Sequence, residues 1–537
     1  MGLSDLLPDC LLSITARLTS FERLRCAATC RAWRGALALP AVWAEVDLRG
    51  VAACDASWLL ACVARRAAGA LRSLHLPFTD ASAVLAAART SAALSFVGVD
   101  VGNGSSEDGG AGFWTVAQAC ALDCVPHVAL PVAAQAPHDS QLALLLSAGR
   151  VSALRFERAE LSPSDAGDLV QTALQRQGGT ALRSLSLRFN SVGSAGCVAL
   201  AELVARGLVE ELYLGWNDVH SQGAVHLAAA LQSPSCRLLT LDLRHSGVGP
   251  QGAAMLGLAL RSRPALTSLS LRGCAIGAGG AAALASGLRS SRQGNITRLD
   301  LGHCALGRAG ITALADSGCL RRLAELGLAH NSICHLAAAD LAAALAHAYN
   351  LEVLDIGRNA LGDEGLRLVC CALRSHTKLQ RLDVPLCAGG PEAARRLGGL
   401  LRSCPRLRHL DASGNAINRG VSGLAAGLAE GAGAMRTLLL SHTGIGDSGV
   451  HELVQALRAG FGGHGIVHLD FSGCPVGDDA ARALAGAASA PSAALAQLDL
   501  RHTFVVSSDK GASMLSAAAE RSGLCVLGLL PEREPNE

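Results

Sequence analysis

The sequence predicts an α/β solenoid with a parallel inner sheet, an outer layer of helices and a small all-α segment at the N-terminus. From Leu182 onward an apolar residue opens a recurring pattern about every 28 residues, which is typical of a repeat architecture. The last two of these openings are predicted at Leu495 and Leu524. Within each repeat, apolar residues first alternate as in a half-buried strand and then follow a helical period. Residues 1–48 do not follow this pattern, so we treat them as a separate segment.

The first part of each repeat predicts a short strand that ends in a tight interior turn. In the repeat opened by Leu182, Leu185 and Leu187 alternate with polar residues, which buries one side of the strand. Asn190 follows, where its amide can bond backbone groups of the adjoining coils. Other repeats carry small polar or thiol side chains in the same slot: Asn217, Ser246, Cys274, Cys304, Asn331, Asn359, Cys387, Asn415, Thr443, Cys474 and Thr503.

The second part of each repeat predicts a helix. A glycine comes six residues after the slot in most repeats, and we interpret it as the turn into the helix. These glycines are Gly196, Gly223, Gly252, Gly280, Gly310, Gly365 and Gly449. The residues that follow are rich in Ala and Leu, as in 224–231. One strand and one helix in about 28 residues predict a horseshoe with strands on its inner arc.

The unit length and the glycine resemble the ribonuclease-inhibitor class of leucine-rich repeat, so the predicted fold is a leucine-rich-repeat solenoid. Regular repeats are predicted over residues 151–530 and degenerate leading repeats over residues 49–150, followed by a tail at 531–537. The leading repeats open near Leu71, Leu94 and Val125, and the first repeat of the regular stretch opens at Val151. Residues 102–112 are rich in glycine, serine and acidic residues, a composition that predicts a flexible surface loop.

Residues 1–48 predict three short helices. Pro8 suits the first turn of a helix, and Leu11, Leu12, Ile14 and Leu18 then fall largely on one face. A segment this short cannot bury a sizeable core alone. It therefore needs a partner, or the solenoid that follows it.

This segment resembles an F-box, in its Leu7-Pro8 start, its apolar helix face and the run from Cys30 to Trp33. The resemblance implies binding to an Skp-type adaptor that docks on a cullin scaffold, while the leucine-rich repeats hold a protein substrate for ubiquitination. The implied adaptor-binding residues are Leu7, Pro8, Leu11, Leu12, Ile14, Leu18, Leu24 and Trp33. The alternative is a plain helical cap that shields the first coil. The protein would then be a cytosolic scaffold or a GTPase-regulator-like protein without a role in ubiquitination.

Composition narrows the class of partner. A net charge of +2 argues against nucleic acid or an anionic membrane as the main partner. We expect no membrane span and no secretory signal, and hence a cytoplasmic protein, with the nucleus left open. The 19 cysteines show no C-x-x-C spacing, which favours reduced core residues. Neither Lys378 nor Lys510 lies in a nucleotide-binding G-K-[ST] motif, and we expect no cofactor and no catalysis.

Polar residues recur at two positions of the repeat. Asp comes four residues after the opening, at Asp242, Asp300, Asp355, Asp383, Asp411, Asp470 and Asp499. His comes seven residues after it, at His245, His303, His330, His442 and His502. Three interpretations are open: a solvated polar stripe, a surface for a partner, or a metal or acid/base site. No helical ligand spacing accompanies them, which favours the first interpretation.

The scarce aromatic residues indicate where a partner would bind. They make up 3% of the chain, yet Phe189, Tyr213 and Trp216 fall in two adjacent repeats. Tyr, Trp and Arg are the residue types that dominate binding energy at interfaces. The predicted substrate-binding set is Arg188, Phe189, Tyr213, Trp216, Arg244, His245 and Arg272. The alternative is incidental packing where the strands meet the loops.

Overall fold

The computed structural model describes residues 45–47, 73–77, 96–100, 127–131, 153–157, 161–174, 183–262, 265–290, 295–431, 433–459, 465–489, 495–507, 509–522 and 524–528. The chain divides into two compact units, Met1–Gly247 and Val248–Glu537. Both units repeat one coil, in which a short strand leads through a turn into a helix. The adaptor-binding residues predicted between Leu7 and Trp33, and the predicted loop at 102–112, lie outside the described residues.

The first unit is a parallel sheet backed by helices. Its described strands are β1 (Glu45–Asp47), β2 (Ser73–Pro77), β3 (Phe96–Asp100), β4 (His127–Pro131), β5 (Ala153–Glu157), β6 (Ser184–Ser186), β7 (Glu211–Tyr213) and β8 (Thr240–Asp242). Each strand pairs in parallel with the next one along the chain. Its described helices are α1 (Pro163–Leu174), α2 (Gly193–Ala205) and α3 (His220–Leu231).

The second unit continues the same coil pattern. Its strands are β9 (Ser268–Ser270), β10 (Arg298–Asp300), β11 (Glu325–Gly327), β12 (Val353–Asp355), β13 (Arg381–Asp383), β14 (His409–Asp411), β15 (Thr437–Leu439), β16 (His468–Asp470), β17 (Gln497–Asp499) and β18 (Cys525–Leu527). Its α-helices are α4 (Gly249–Ser262), α5 (Gly277–Ser290), α6 (Gly307–Asp316), α7 (His335–Leu345), α8 (Gly362–Leu373), α9 (Pro391–Ser403), α10 (Val421–Gly431), α11 (Asp447–Ala459), α12 (Asp478–Ala488) and α13 (Asp509–Ser522). Short 3-10 turns occupy Cys319–Arg322, Asn418–Gly420 and Phe504–Ser507.

The repeat pattern sets the register of the strands. Leu354 lies between Leu326 and Leu382 on the neighbouring strands, and all three are buried. Leu185 and Leu187 are fully buried as well, which confirms the predicted alternation. Each coil thus adds one row of leucines to a continuous core.

Two details of the repeat count differ from the sequence prediction. Strand β1, within the segment assigned to the F-box-like helices, pairs in parallel with β2. At the other end Leu498 pairs with Val526, so the last coil does not open at Leu524 as the pattern suggested. The strand of the last coil therefore begins one residue earlier than the pattern predicts. A search for apolar residues at fixed spacing cannot detect such a change.

The asparagine slot joins neighbouring coils, as predicted. The Nδ2 of Asn359 donates to the backbone oxygens of Leu328 and Ile356, at 3.1 and 2.7 Å. Its Oδ1 accepts from the backbone N–H groups of Asn331 and Ile333, at 2.9 and 3.0 Å. The amide therefore satisfies backbone groups that the narrow turn would otherwise bury without partners.

The regular spacing of the glycines has a different cause from the one predicted. Gly196 and Gly223 do not form the turn but lie buried inside helices α2 and α3. A Cβ on Gly223 would come within 3.0 Å of the Cys197 sulfur on the neighbouring helix, so glycine permits close packing of helices. The turn itself is made three residues earlier in several coils, for example by Gly277 with φ +64°.

The cysteines that the structure describes form no disulfide with one another, and most of them are buried. Burial raises the pKa of the Cys197 and Cys370 thiols to about 12, so these groups stay protonated and unreactive near neutral pH. Within the described parts of the chain, no helix is long and apolar enough to cross a membrane.

Burial of His376 predicts a loss of stability in mild acid. His376 lies shortly after the end of helix α8, and its side chain is buried. Burial lowers the pKa of His376 below its ordinary value, an effect that the carbonyls of Leu345, Ala348 and Leu373 only partly offset. Below about pH 6.5 the unfolded chain therefore binds a proton that the folded chain refuses, and stability falls until the pH passes the folded pKa.

We therefore expect His376→Phe to lose less thermal stability than the parent protein between pH 7.5 and 5.5. The matched control is His347→Phe, since His347 lies in the same unit but is exposed. The measurement is the melting temperature at both pH values. Equal acid sensitivity of the parent and His376→Phe would show that His376 does not carry the effect.

Candidate functional site

One backbone position, just after the strand, turns its side chain toward solvent in most coils from β6 to β17. In the coils with an opening between Leu182 and Leu495, the residue seven places after the opening has a positive φ. Non-glycine examples include Phe189, Trp216 and His245, with φ of 59°, 61° and 53°. Few L residues adopt this left-handed region, so the tight turn after the strand fixes the direction of these side chains. We call this the left-handed slot.

In the first unit the left-handed slot carries a row of three stacked rings, which we call the ring stack. The rings of Phe189 and Trp216 lie 5.7 Å apart with 13° between their planes. The rings of Trp216 and His245 lie 4.1 Å apart with 17° between their planes. Phe189 is 39% and Trp216 47% exposed, so the stack is a solvent-facing apolar surface held rigid by its own backbone turns.

Next to the ring stack, two arginines share one buried carboxylate. The Nε and Nη2 of Arg188 donate to Oδ2 of Asp242 at 3.1 and 2.6 Å. The Nε of Arg244 donates to Oδ1 of the same residue at 2.9 Å, and so does its backbone N–H at 3.1 Å. The Asp242 side chain is 3% exposed, whereas those of Arg188 and Arg244 are 27% and 39% exposed. We call Arg188 and Arg244 the arginine pair.

Neighbouring residues hold the arginine pair in place. The Arg188 guanidinium carbon lies 4.6 Å from the centre of the Tyr213 ring, a cation–π contact. The Tyr213 hydroxyl donates to Glu211 at 3.1 Å. A Cβ on Gly215 would lie 2.6 Å from Cγ of Arg244, so the missing side chain at Gly215 leaves room for the Arg244 stem.

The structure brings together six of the seven residues predicted to bind substrate: Arg188, Phe189, Tyr213, Trp216, Arg244 and His245. Arg272 belongs to the second unit, where its Nη1 lies 3.8 Å from Asp300 and 3.7 Å from Asp355. The predicted substrate-binding set did not include Gly215 or Asp242, and Asp242 was noted only as a member of the recurring aspartates. The motif Asp-Leu-Arg-His at Asp242–His245 recurs at Asp499–His502, a signal that the aspartate and the arginine act together.

The recurring aspartates, which we call the aspartate column, mainly accept hydrogen bonds from nearby backbone N–H groups. They do not form the solvated polar stripe that the sequence favoured. Asp242 and Asp499 are buried, and Asp300, Asp355 and Asp470 are half-buried. An Oδ1 accepts from the backbone N–H two residues later, as in Asp300 to Gly302 at 3.0 Å and Asp470 to Ser472 at 2.7 Å. Such local bonds fix the turn that leads to the left-handed slot.

Charges accumulate along this column in the second unit. Burial raises the pKa of Asp355, and the like charges of Asp383 and Asp300 raise it further. The N–H of Gly357 and the Arg272 guanidinium act in the opposite direction. Asp300, Asp355 and Asp383 thus lie close enough to repel one another, and Arg272 offsets part of this repulsion.

The histidine column occupies the left-handed slot and also stacks. The rings of His303 and His330 lie 3.8 Å apart and nearly parallel. Burial, then His330, Arg272 and Arg358 lower the pKa of His303, so a second positive charge in this pair is disfavoured. Among the described residues, no group of three or more His, Cys, Asp or Glu side chains is arranged to hold a metal ion.

Comparison with known families supports the repeat interpretation. The family model described as Leucine Rich repeat matches residues 180–201, 264–285, 295–315, 349–370 and 466–485. The chain carries leucine-rich repeats. The segments include strands β6, β9, β10, β12 and β16, and proteins built from such repeats typically bind other proteins without catalysis.

Two relatives are similar over part of their length. Ribonuclease inhibitor from Sus scrofa is 29% identical over 326 residues, which cover 60% of this chain and 65% of the inhibitor. NACHT, LRR and PYD domains-containing protein 13 from Homo sapiens is 28% identical over 199 residues, or 37% of this chain and 16% of that protein. The matches thus span less than two thirds of either relative.

Among solved structures, the complex of Rad7 and Elc1 from yeast contains a chain with 13% identity to this one. The match covers 89% of this chain and 96% of that chain, with a TM-score of 0.42.

Proposed function

We propose that this protein is the substrate-receptor subunit of an SCF-type ubiquitin ligase, with no catalytic residue of its own. Residues 1–48 would bind an Skp-type adaptor, and the leading and regular repeats over 49–150 and 151–530 would hold the protein substrate. The resemblance of Leu7-Pro8 and Cys30–Trp33 to an F-box carries the ligase half of the proposal. The leucine-rich repeats support the binding half.

The surface we propose for the substrate is the ring stack together with the arginine pair and Tyr213. Its rings are exposed and ordered by backbone turns, so little side-chain entropy is lost when a partner covers them. Arg, Tyr and Trp are also the residue types in which interfaces concentrate binding energy. Arg272 stays a proposed substrate contact of the second unit, where its guanidinium lies near Asp300 and Asp355.

The second candidate is a leucine-rich-repeat scaffold or GTPase-regulator-like protein whose N-terminal helices only cap the repeats. The same exposed ring stack favours a partner in this case too. The two candidates differ in one observable property, which is binding of an Skp-type adaptor to residues 1–48.

The adaptor test uses two double variants. We expect Leu7→Ala with Pro8→Ala, and separately Leu11→Ala with Leu12→Ala, to abolish co-purification of an Skp-type adaptor with the full chain. The physical reason is that an apolar helix face which this short segment cannot bury alone would lose its contacts with the adaptor.

The control for folding is Trp216→Ala, which changes the repeats and should leave adaptor binding intact. Thermal unfolding of all variants shows whether the repeats remain folded. Undiminished adaptor binding by both double variants, or no binding by the parent protein, would reject the F-box assignment. Proximity labelling in the presence of a proteasome inhibitor would then identify the substrate for the surviving candidate.

A further inference from the structure

The arginine pair is arranged to receive an anion. Asp242 accepts four hydrogen bonds from Arg188 and Arg244, so its two oxygens are used within the fold. Within the described residues, Nη1 of Arg188 and both terminal nitrogens of Arg244 donate to no acceptor. Two guanidinium groups on one carboxylate leave an excess of one positive charge. Fixed guanidinium donors of this kind favour a carboxylate or a phosphate.

The charge balance favours a single negative charge on the ligand. Glu211 lies close by, since it accepts from the hydroxyl of Tyr213, over whose ring Arg188 lies. Glu211 offsets the excess charge of the arginine pair at longer range, so the nearby guanidinium N–H groups rather than net charge attract the ligand. A second negative charge on a bound phosphate would therefore meet repulsion from Glu211, whereas a carboxylate adds one charge only.

The ring stack determines what should accompany the carboxylate. The faces of its rings are largely turned toward one another, so a partner would meet the ring edges and the solvent-exposed parts of Phe189 and Trp216. Aromatic rings pack well edge-to-face against such edges, and aliphatic groups gain from covering the exposed area. A partner here should thus carry an apolar side chain next to its acidic one.

We propose that this surface of the first unit binds a protein segment in which an Asp or Glu carboxylate lies beside an aromatic or large aliphatic side chain. The carboxylate accepts hydrogen bonds from the free guanidinium nitrogens of Arg188 and Arg244. The apolar neighbour covers Trp216 and Phe189. This inference rests on the proposed function, because it names the class of segment that the repeats of the receptor recognise.

The experiment is a selection from a random peptide library displayed on phage, with the immobilised full chain as bait. We expect the enriched peptides to share an acidic residue next to an aromatic or aliphatic one. The affinity of one enriched peptide, measured by fluorescence polarisation, should fall at least about tenfold in Arg188→Gln, Arg244→Gln and Trp216→Ala.

The chain supplies a matched control for the arginine. Arg501 occupies the same position as Arg244 in the second copy of the motif and contacts Asp499, with Nη2 to Oδ2 at 2.6 Å. Arg501→Gln should leave the peptide affinity unchanged. Because Trp216 makes no hydrogen bond to Asp242, Trp216→Ala tests the site even if the arginine variants unfold. Melting temperatures identify such a failure of folding.

Four results would overturn the inference. One is the absence of any enriched peptide. A second is enrichment that persists in Trp216→Ala and Arg244→Gln. Another is enrichment of basic peptides whose binding depends on Asp411 and Asp470, which would place recognition on the acidic column of the second unit. The last is tighter binding when the peptide's acidic residue is replaced by phosphoserine, which would identify a phosphorylated partner instead.

Adaptor co-purification separates this inference from the proposed ligase role. Loss of peptide selection with the adaptor still bound rejects only the inference. Selected acidic peptides without adaptor binding reject the ligase role and retain the binding surface, which then belongs to a scaffold.

Discussion

Leu354→Asp should destabilise the second unit by about 3–5 kcal/mol or more, because it buries a carboxylate in the leucine core without a partner. Leu354 is fully buried between Leu326 and Leu382 on the two flanking strands. The carboxylate cannot turn toward solvent by a one-residue shift in strand register, because that shift would move all the remaining side chains of the strand to the wrong face. The measurement is the free energy of unfolding by urea.

The control moves the same charge by one residue. Val353→Asp introduces the carboxylate at a half-buried position that pairs with Arg381 on one neighbouring strand and Glu325 on the other. We expect it to cost much less than Leu354→Asp. In the first unit, Leu241→Asp should reproduce the large effect, because Leu241 is also fully buried. Similar stability of Leu354→Asp and the parent protein would show that the inward assignment of the strand is wrong.

The strands and the core could be predicted because both depend on the alternation of leucines with polar residues along each strand. A leucine every second position has only one buried face to occupy, and Leu185 and Leu187 follow this rule. The glycines show the limit of such reasoning. A glycine signals either a turn or a close approach, and only the packing of Gly223 against Cys197 on the neighbouring helix shows which one applies. Gly277 and Gly280, three residues apart, illustrate both cases. Gly277 makes the turn with its positive φ, and Gly280 allows the close approach of the neighbouring helix.

The candidate site was partly predictable for a similar reason. The scarcity of aromatic residues located Phe189, Tyr213 and Trp216, and the structure brings them together with both arginines. The left-handed backbone at Trp216 was missed, although Gly273 and Gly414 occupy the same slot in other coils and indicate a positive φ there. Which side chain bonds which could not be derived, since Arg188 reaches Asp242 across a distance of 54 residues in the chain.

Arg272 shows why shared repeat positions do not define shared contacts. It has the same position in its coil as Arg188 and Arg244. Its own coil carries Ser270 where the coil of Arg244 carries Asp242, so Arg272 instead lies near Asp300 and Asp355. The charged residues of neighbouring coils therefore decide where a long side chain lies. Comparing the residues at one repeat position across the coils does not show these neighbours.

Asn359→Leu should destabilise the second unit by about 4 kcal/mol, a value comparable to the loss of a core leucine. The substitution removes the acceptor for two backbone N–H groups, those of Asn331 and Ile333, and the donor for the carbonyls of Leu328 and Ile356. The site is buried, so no water replaces the amide, and each backbone group left without a partner costs about 1–3 kcal/mol.

Asn359→Ser is the matched comparison, because the chain itself uses serine in this slot. Ser246 donates to the carbonyl of Leu214 at 2.8 Å and accepts from the N–H of Asn217 at 3.4 Å, so a hydroxyl satisfies part of what the amide does. We expect Asn359→Ser to lose about half as much stability as Asn359→Leu. Urea unfolding of the two variants provides the measurement. If leucine is tolerated as well as serine, the polar bonds of the slot do not hold adjacent coils together, and packing alone must do so.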